Sequence, residues 1–241
     1  MANGYAGRFL RVDLTEGRCS PFTVENDRLR KFIGGSSLGA KLFLDGYPLD
    51  ADPLAPESPL MVMTGPMVGS GFPGTSRFAV CAKSPLTGIW GESACGGTFG
   101  PELKKAGYDG IVITGRAEKP VVLSIVEGEA KLTDASGLWG RDIYETTDLL
   151  KEADKGAKTL VIGPAGENLV RFAAIGNDKG HFVGRTGLGA VMGAKRLKAI
   201  SVRGEGKLAK ADEARFRELH REAVQQIKDS ALAGSLHAMG S

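Results

Sequence analysis

Two sixteen-residue stretches of this chain share one plan. Gly100-Pro-Glu-Leu-Lys-Lys-Ala-Gly-Tyr-Asp-Gly-Ile-Val-Ile-Thr-Gly115 and Gly189-Ala-Val-Met-Gly-Ala-Lys-Arg-Leu-Lys-Ala-Ile-Ser-Val-Arg-Gly204 both read as glycine, short helix, small residue, I-x-I/V strand, glycine. Upstream, Thr64-Gly65-Pro66 precedes Arg77-Phe78-Ala79-Val80, as Ile162-Gly163-Pro164 precedes Arg171-Phe172-Ala173-Ala174. The order strand, G-P loop, R-F-A strand, glycine loop, helix, strand therefore occurs twice, over roughly 58–115 and 158–204. A chain built this way must bury two copies of one apolar unit. Glycine supplies the punctuation: 35 of 241 residues, about twice the usual ~7%. The glycines stand singly or in pairs between apolar segments. They mark turns, or places where backbone must approach something closely.

Around the repeat the chain reads as short elements. Arg8 to Leu14 and Arg18 to Val24 form a hairpin, and Asn26 caps a short helix that stops at Gly34-Gly35. A second helix carries Leu38, Leu42 and Phe43 and ends near Gly46. Strands are expected at 60–63, 77–82 and 111–113, with a helix from Pro101 to Lys105. A hairpin follows at 121–133. An amphipathic helix runs from Arg141 to Ala153, with Ile143, Leu149 and Leu150 inward. Strands at 159–162, 171–175 and 199–203 follow, with a helix at 190–197. Beyond Asp212, Phe216, Leu219, Ala223 and Ile227 keep helical spacing. Strands and helices mix without regular β-α-β alternation, which points to an α+β fold.

Bulk properties exclude several classes. The net charge of +3 argues against a nucleic-acid or membrane-surface binder. No run of about 18 apolar residues is present, so no membrane span is expected. The opening Met1-Ala2-Asn3-Gly4-Tyr5 has no secretory pattern. Cys19, Cys81 and Cys95 fit neither a disulfide framework nor a C-x-x-C site, so a reducing, cytoplasmic compartment is expected.

Each repeat has a glycine-rich loop just before its helix, Gly91 to Gly100 and Gly180 to Gly189. A helix N-terminus offers unpaired N–H groups and about half a positive charge, and glycines let backbone approach an anion; together they suit phosphate. Neither loop is a G-x-x-x-x-G-K-S/T P-loop or a G-x-G-x-x-G dinucleotide loop. The plain alternative is a tight connection between strand and helix. Charge favours the anion: residues 171–204 hold seven basic residues and one acid, 7 − 1 = +6, in a chain of +3. Lys195, Arg196 and Lys198 read as a solvated face, and Arg185, among four glycines, as a ligand contact. Two related loops imply one cofactor with two phosphates, or two cofactors related by a pseudo-twofold axis.

Several motifs carry a resemblance. Arg8-Phe-Leu-Arg-Val-Asp-Leu, Lys83-Ser-Pro-Leu-Thr-Gly88, Leu103-Lys-Lys-Ala-Gly-Tyr-Asp109, Gly163-Pro-Ala-Gly-Glu-Asn-Leu-Val170 and Gly187-Leu-Gly-Ala-Val-Met-Gly193 resemble the N-terminal domain of tungsten-containing aldehyde:ferredoxin oxidoreductases. The likeness runs from about residue 5 to about 208. It implies a base of two related mixed β-sheets with short helices and pseudo-twofold symmetry. On that base two molybdopterins chelate one tungsten, and Mg2+ joins their phosphates. Arg77 takes the place of an arginine linking pterin to an iron–sulfur cluster. Ala94-Cys95-Gly96-Gly97 takes the place of the loop that binds pterin phosphate, with an asparagine common in the family replaced by Ala94. In the second loop His181 stands where the family often has arginine, followed by Phe182, Gly184 and Arg185. The backbone carbonyls of Ala94 and Phe182 are the implied magnesium ligands, chemistry that suits an oxygen-seeking ion.

The family's C-x-x-C-x-x-x-C motif for a 4Fe–4S cluster is absent, as are later catalytic and substrate-pocket residues. The expectation is a fragment: residues 1–208 as the tungstopterin-binding domain, and 209–241 as the truncated start of a helical one. Leu236 to Ser241 would have no fold of their own. The parent would oxidise aldehydes to carboxylic acids and pass electrons to ferredoxin, with a homodimer possible through the missing domains. An aromatic-ring reductase subunit, or a stand-alone non-catalytic pterin- or phosphate-binding module, would use the same base.

Overall fold

The computed structural model describes residues 3–240. Met1, Ala2 and Ser241, parts of the opening and closing segments read above, lie outside the described residues.

The first half opens with the expected hairpin, β1 (Phe9–Asp13) and β2 (Arg18–Phe22). The Asp13 carboxylate fixes its turn by accepting from the backbone N–H of Thr15 at 3.0 Å and Glu16 at 3.1 Å, the local bonding that makes aspartate a turn former. Helices α1 (Asn26–Phe32) and α2 (Gly35–Gly46) follow. Asn26 is the first helical residue of α1, and Glu25 stands at the cap without a side-chain bond. Next come β3 (Leu60–Met63), β4 (Phe78–Lys83), β5 (Trp90–Cys95), α3 (Phe99–Lys105) and β6 (Gly110–Thr114). The second half holds β7 (Val121–Val126), β8 (Glu129–Asp134), α4 (Ile143–Ala153), β9 (Lys158–Val161), α5 (Pro164–Glu167), β10 (Ile175–Asn177), β11 (His181–Val183), α6 (Leu188–Ala194) and β12 (Leu197–Arg203). Helices α7 (Glu213–Asp229) and α8 (Ala231–Met239) close the chain.

The two six-stranded sheets have one topology. The first runs β2-β1-β6-β3-β4-β5, and the second, read from its hairpin, β8-β7-β12-β9-β10-β11. In both, the strand after the short helix pairs parallel with the hairpin, and every other neighbour is antiparallel. The duplication thus reaches further than the sequence repeat and includes both hairpins. The fold is α+β, as expected.

The main core lies between the sheets. Leu10, Val12, Leu60, Val62, Phe78, Val80, Ile111 and Ile113 of the first face Leu123, Ile125, Leu160, Ile200 and Val202 of the second. Burial of side chains of this size stabilises by about 1.5–3 kcal/mol each. Helix α3 packs on β9 and β12 of the opposite sheet, and α6 on β3 and β4. Each half therefore completes the other's core. The outer faces are covered separately, by α1 and α2 over Phe9, Met61, Met63 and Val112, and by α4 over Val122, Val161 and Ala199. Ile143 and Leu150 of α4 pack there as expected, although its fully buried residues are Thr146 and Thr147.

Several expectations fail for identifiable reasons. Arg171 and Phe172 lie in a turn, not a strand, and Phe172 is 72% exposed. The shared R-F-A triplet is out of register. Ala79 pairs with Met63 and Gly176 with Val161, so Arg77, two residues before Ala79, corresponds to Ala174 rather than Arg171. The expected helix at 190–197 ends at Ala194, and Arg196 reverses the chain at φ 55° into β12. Lys195 and Lys198 are not a solvated face: they are 1% and 0% exposed. Lys198 bonds Glu167 and the Arg141 carbonyl, while Lys195 bonds the carbonyls of Pro56 and Gly115. Ala231–Met239 form α8, against the expectation that the chain from Leu236 onward has no fold of its own.

No residue of α7 or α8 is buried. Their amides are expected to exchange with deuterium far faster than those of β3, β4 and β6, measured by mass spectrometry on the isolated chain. Equal protection of 213–229 and the central strands would contradict this.

Candidate cofactor cradle

The two glycine loops meet where the sheets end. β5 and β11 are the last strands of their sheets and lie side by side, yet among the described residues no ladder joins them. An edge strand keeps a row of backbone N–H and C=O groups free of its own sheet. The sequence alone presents both stretches as loop. β5 is hidden because its inward positions are small, Gly91, Ser93 and Cys95 being buried while Glu92 and Ala94 are exposed, and β11 because it is only three residues long with Val183 alone buried.

The ladders fix which residues correspond. Phe78 pairs with Cys95 and Ala79 with Ala94 in the first half; Ile175 pairs with Val183 and Gly176 with Phe182 in the second. Ala94 and Phe182 therefore hold the same place, as do Ser93 and His181, and Gly96 and Gly184. Whatever backbone group Ala94 turns outward, Phe182 turns outward too. Both side chains are exposed, Phe182 by 45%.

The halves also brace each other's loops. Asp178 of the second half, held at φ 49°, accepts from Thr98 Oγ1 of the first at 2.9 Å and from the Thr159 amide at 3.1 Å. In return the Ser84-Pro85 turn of the first half packs under Thr186 and Gly187 of the second. Asn177 makes the tightest link. It is 0% exposed, and its Nδ2 donates to the Gly96 carbonyl at 2.7 Å. Its Oδ1 is buried without a partner, a state that costs about 1–3 kcal/mol unless a donor arrives. The His181 ring lies over the same loop: a Cβ on Gly97 would sit 2.5 Å from His181 Cδ2 and 2.7 Å from Asn177 Nδ2. Gly97 has φ 88°, so it must be glycine on both counts.

Gly96 and Gly184 are different. Neither lies in the left-handed φ region. A Cβ on Gly96 would meet only His181 Cδ2, at 4.0 Å, and one on Gly184 only Phe182 Cβ, at 3.9 Å. These paired positions leave open space, a cradle that a side chain would fill.

The helix starts do not point into that space. Gly189 N–H of α6 donates to the Ala173 carbonyl at 2.9 Å, and Phe99, Gly100, Leu188 and Gly189 are all buried. The accessible part of each loop is the strand end and its first glycines, not the helix dipole.

Arg77 sits exposed just before β4. Burial raises the Cys95 thiol pKa, against a smaller lowering by the Asn177 hydrogen bond and the Arg77 charge. Arg185 is exposed, and its amide donates to Ser93 Oγ at 3.3 Å. Arg77, Ala94, Cys95, Gly96, Gly97, His181, Phe182, Gly184 and Arg185 thus all lie on or beside the two adjoining edges. Asn177, Asp178 and Ser93 were missed, because only the strand register brings them to the loops. Among the described residues no group of three or more His, Cys, Asp or Glu side chains is placed to hold a metal. No described helix is long and apolar enough to cross a membrane.

A family model described as "Aldehyde ferredoxin oxidoreductase, N-terminal domain" matches residues 9–204. The chain is 43% identical over 233 residues to a tungsten-containing aldehyde ferredoxin oxidoreductase of Pyrococcus abyssi, covering 96% of this chain and 38% of that protein. It is 38% identical over 241 aligned positions to an aliphatic sulfonate oxidoreductase, WOR-like subunit, of Pyrococcus furiosus, covering 92% of this chain and 38% of that protein. Among solved structures, the active site complex BamBC of benzoyl coenzyme A reductase with 1,5-dienoyl-CoA superposes with a TM-score of 0.92 at 35% identity, covering 95% of this chain and 35% of that one.

Proposed function

Since the chain belongs to the aldehyde ferredoxin oxidoreductase family through its N-terminal domain, we propose that it forms the base on which a tungsten-bis-molybdopterin cofactor rests. The equivalence of Ala94 and Phe182 on two adjoining sheet edges carries this reading. A cofactor with two like halves needs two like surfaces, and the duplicated edges supply them. The open positions at Gly96 and Gly184 fit a group that must come close to backbone.

In this reading the backbone at Gly96, Gly97 and Gly184 would hold the pterin phosphates, and His181 and Arg185 would supply polar and charged contacts. The backbone carbonyls of Ala94 and Phe182 would be the groups to hold magnesium, a hard ion that takes oxygen donors. Arg77 offers a planar set of donors toward pterin and cluster, which a lysine cannot reproduce. Cys95 and Asn177 hold the first loop from behind. When bound, the tungsten centre supplies the two-electron redox chemistry; this chain supplies position and charge.

The chain spans 38% of the length of its tungsten-containing relatives, so the reaction belongs to the longer protein. We place there the oxidation of an aldehyde to a carboxylic acid, a 4Fe–4S cluster, ferredoxin as acceptor, the cytoplasmic location and any homodimer. Residues 209–241 begin the following helical domain, supported by the absence of buried residues in α7 and α8. A ring-reducing relative is the second reading, favoured by the 0.92 superposition. The higher identity to the aldehyde enzymes, 43% against 35%, puts it second.

The test is to produce the chain in a host that makes tungstopterin and to measure metal and pterin on the purified protein. Two pterins per tungsten are expected. A folded chain without pterin, from a host that loads a full-length relative, would overturn the proposal.

A further inference from the structure

A second concave feature is built from other residues. A cleft of about 560 Å³ opens between the Ser70-Gly71 turn and one side of α7, within the ~300–1,000 Å³ range of small-molecule sites. Lys210, Arg217, His220 and Arg221 line it, and no carboxylate does. Net composition does not explain this, because α7 is balanced: Arg215, Arg217, Arg221 and Lys228 against Glu213, Glu218, Glu222 and Asp229. The charges are sorted by side. Positions 217, 220 and 221 share one helix face. Arg215 turns to Glu218 at 2.7 Å, and Lys210 has Glu213 at 3.6 Å. Among the described residues Arg217 and Arg221 have no carboxylate partner.

The cleft has a shaped wall. The Phe72 ring stands edge-on to Phe216 at 5.7 Å and to His220 at 6.1 Å, joining the turn to the helix. The turn is held from within: Ser70 Oγ accepts from the Phe72 amide at 3.2 Å, and Thr75 Oγ1 donates to the Phe72 carbonyl at 2.7 Å. Gly71 leaves open space where a side chain would stand. The loop then leads to Arg77.

We infer that this cleft binds a diphosphate-bearing ligand. Residues four apart on a helix stand about 5–6 Å from each other at Cβ, so Arg217 and Arg221 can each take one phosphate of a linked pair. Guanidinium forks match phosphate oxygens bidentately. Lys210 and His220 add donors for the remaining oxygens. A single carboxylate would occupy one arginine and leave the other uncompensated. The diphosphate could be free or part of a nucleotide, and the chemistry recognised is the same.

Calorimetry on the 241-residue chain at low salt, with pyrophosphate, ADP and adenosine, tests this. Pyrophosphate and ADP should bind and adenosine should not. Equal affinity of the two anions means that the diphosphate alone is read; tighter ADP means a nucleotide is the source. Arg217→Ala and Arg221→Ala should each weaken both anions about tenfold or more, with helix content unchanged by circular dichroism. Arg215→Ala removes the same charge from the Glu218 side and should have little effect. Failure of both anions to bind, adenosine binding as well as ADP, or an Arg215→Ala loss as large as that of Arg217→Ala would overturn the inference.

Discussion

Gly187→Ala is expected to destabilise the fold by several kcal/mol, while Gly184→Val, three residues earlier, is expected to leave the empty fold intact and abolish cofactor retention. Gly187 stands at φ 73° and ψ 27° as the cap of α6, a conformation that costs an ordinary residue about 1 kcal/mol. Its Cβ would also fall inside the Arg171 carbonyl oxygen, with Pro85 Cγ 3.2 Å away. The Arg171 backbone cannot easily retreat, because two residues on Ala173 holds the Gly189 amide at 2.9 Å. Strain and overlap together should exceed about 3 kcal/mol, a large share of a domain stability of ~5–15 kcal/mol. Gly184 has neither problem: its φ is ordinary and its nearest would-be neighbour is 3.9 Å away. Valine there should change apo stability by no more than about 0.5 kcal/mol, yet fill the space proposed for a pterin phosphate. Gly97→Val and Gly96→Val form the matching pair in the first half. Urea melts of the apo proteins and pterin per chain separate the two effects. Full pterin in Gly184→Val would remove that loop from the site, and a stable Gly187→Ala would show that the 171–174 turn is free to move.

This contrast marks how far the site was legible in the sequence. The sixteen-residue repeat exposed the duplication, because Gly100 and Gly189 keep equivalent places at helix starts packed under the opposite sheet. The hairpins β1–β2 and β7–β8 share the topology but no motif, since a two-stranded ribbon asks only for alternation and a turn. Loop glycines looked alike in one dimension. Only the backbone separates Gly97 and Gly187, which the fold requires, from Gly96 and Gly184, which it does not. The R-F-A triplet misled because identity at three positions weighs less than the ladder that pairs Gly176 with Val161. Asn177 gave no signal, since its importance lies in an amide aimed across the halves at the Gly96 carbonyl. Lys195 and Lys198 were misread for a simpler reason: charge usually means surface, and here their carbonyl and carboxylate partners are inside.

Lys195 carries the second large effect. Burial, aided by the nearby Arg116 charge and only partly opposed by Glu57 and Asp13, pulls its pKa from 10.5 down to about 7. Between about pH 7 and 10.5 the unfolded chain holds a proton that the folded chain has released. The unfolded state then binds more protons, so stability rises with pH in this window. Below pH 7 the folded chain must bury the charge, and this group's destabilising effect is at its largest. The slope from this residue approaches about 1.4 kcal/mol per pH unit where the two states differ by a full proton. Lys195→Met should remove the slope and raise stability at pH 7. Its cost is small: Pro56 O keeps a donor in the Gly115 amide at 2.7 Å, and the bond given up to Gly115 O is long, at 3.4 Å. The measurement is urea unfolding of both proteins from about pH 7 to pH 9.0, below the range where the buried Cys81 thiol, pushed up to about 12 from 9.0, brings in the opposite sign. Lys104 and Lys198 are lowered by burial as well, against the raising effect of Asp109 and Glu167, but they are common to both proteins and cancel in the difference. Parallel curves would mean that Lys195 keeps its proton when folded, its two carbonyl partners outweighing the loss of water.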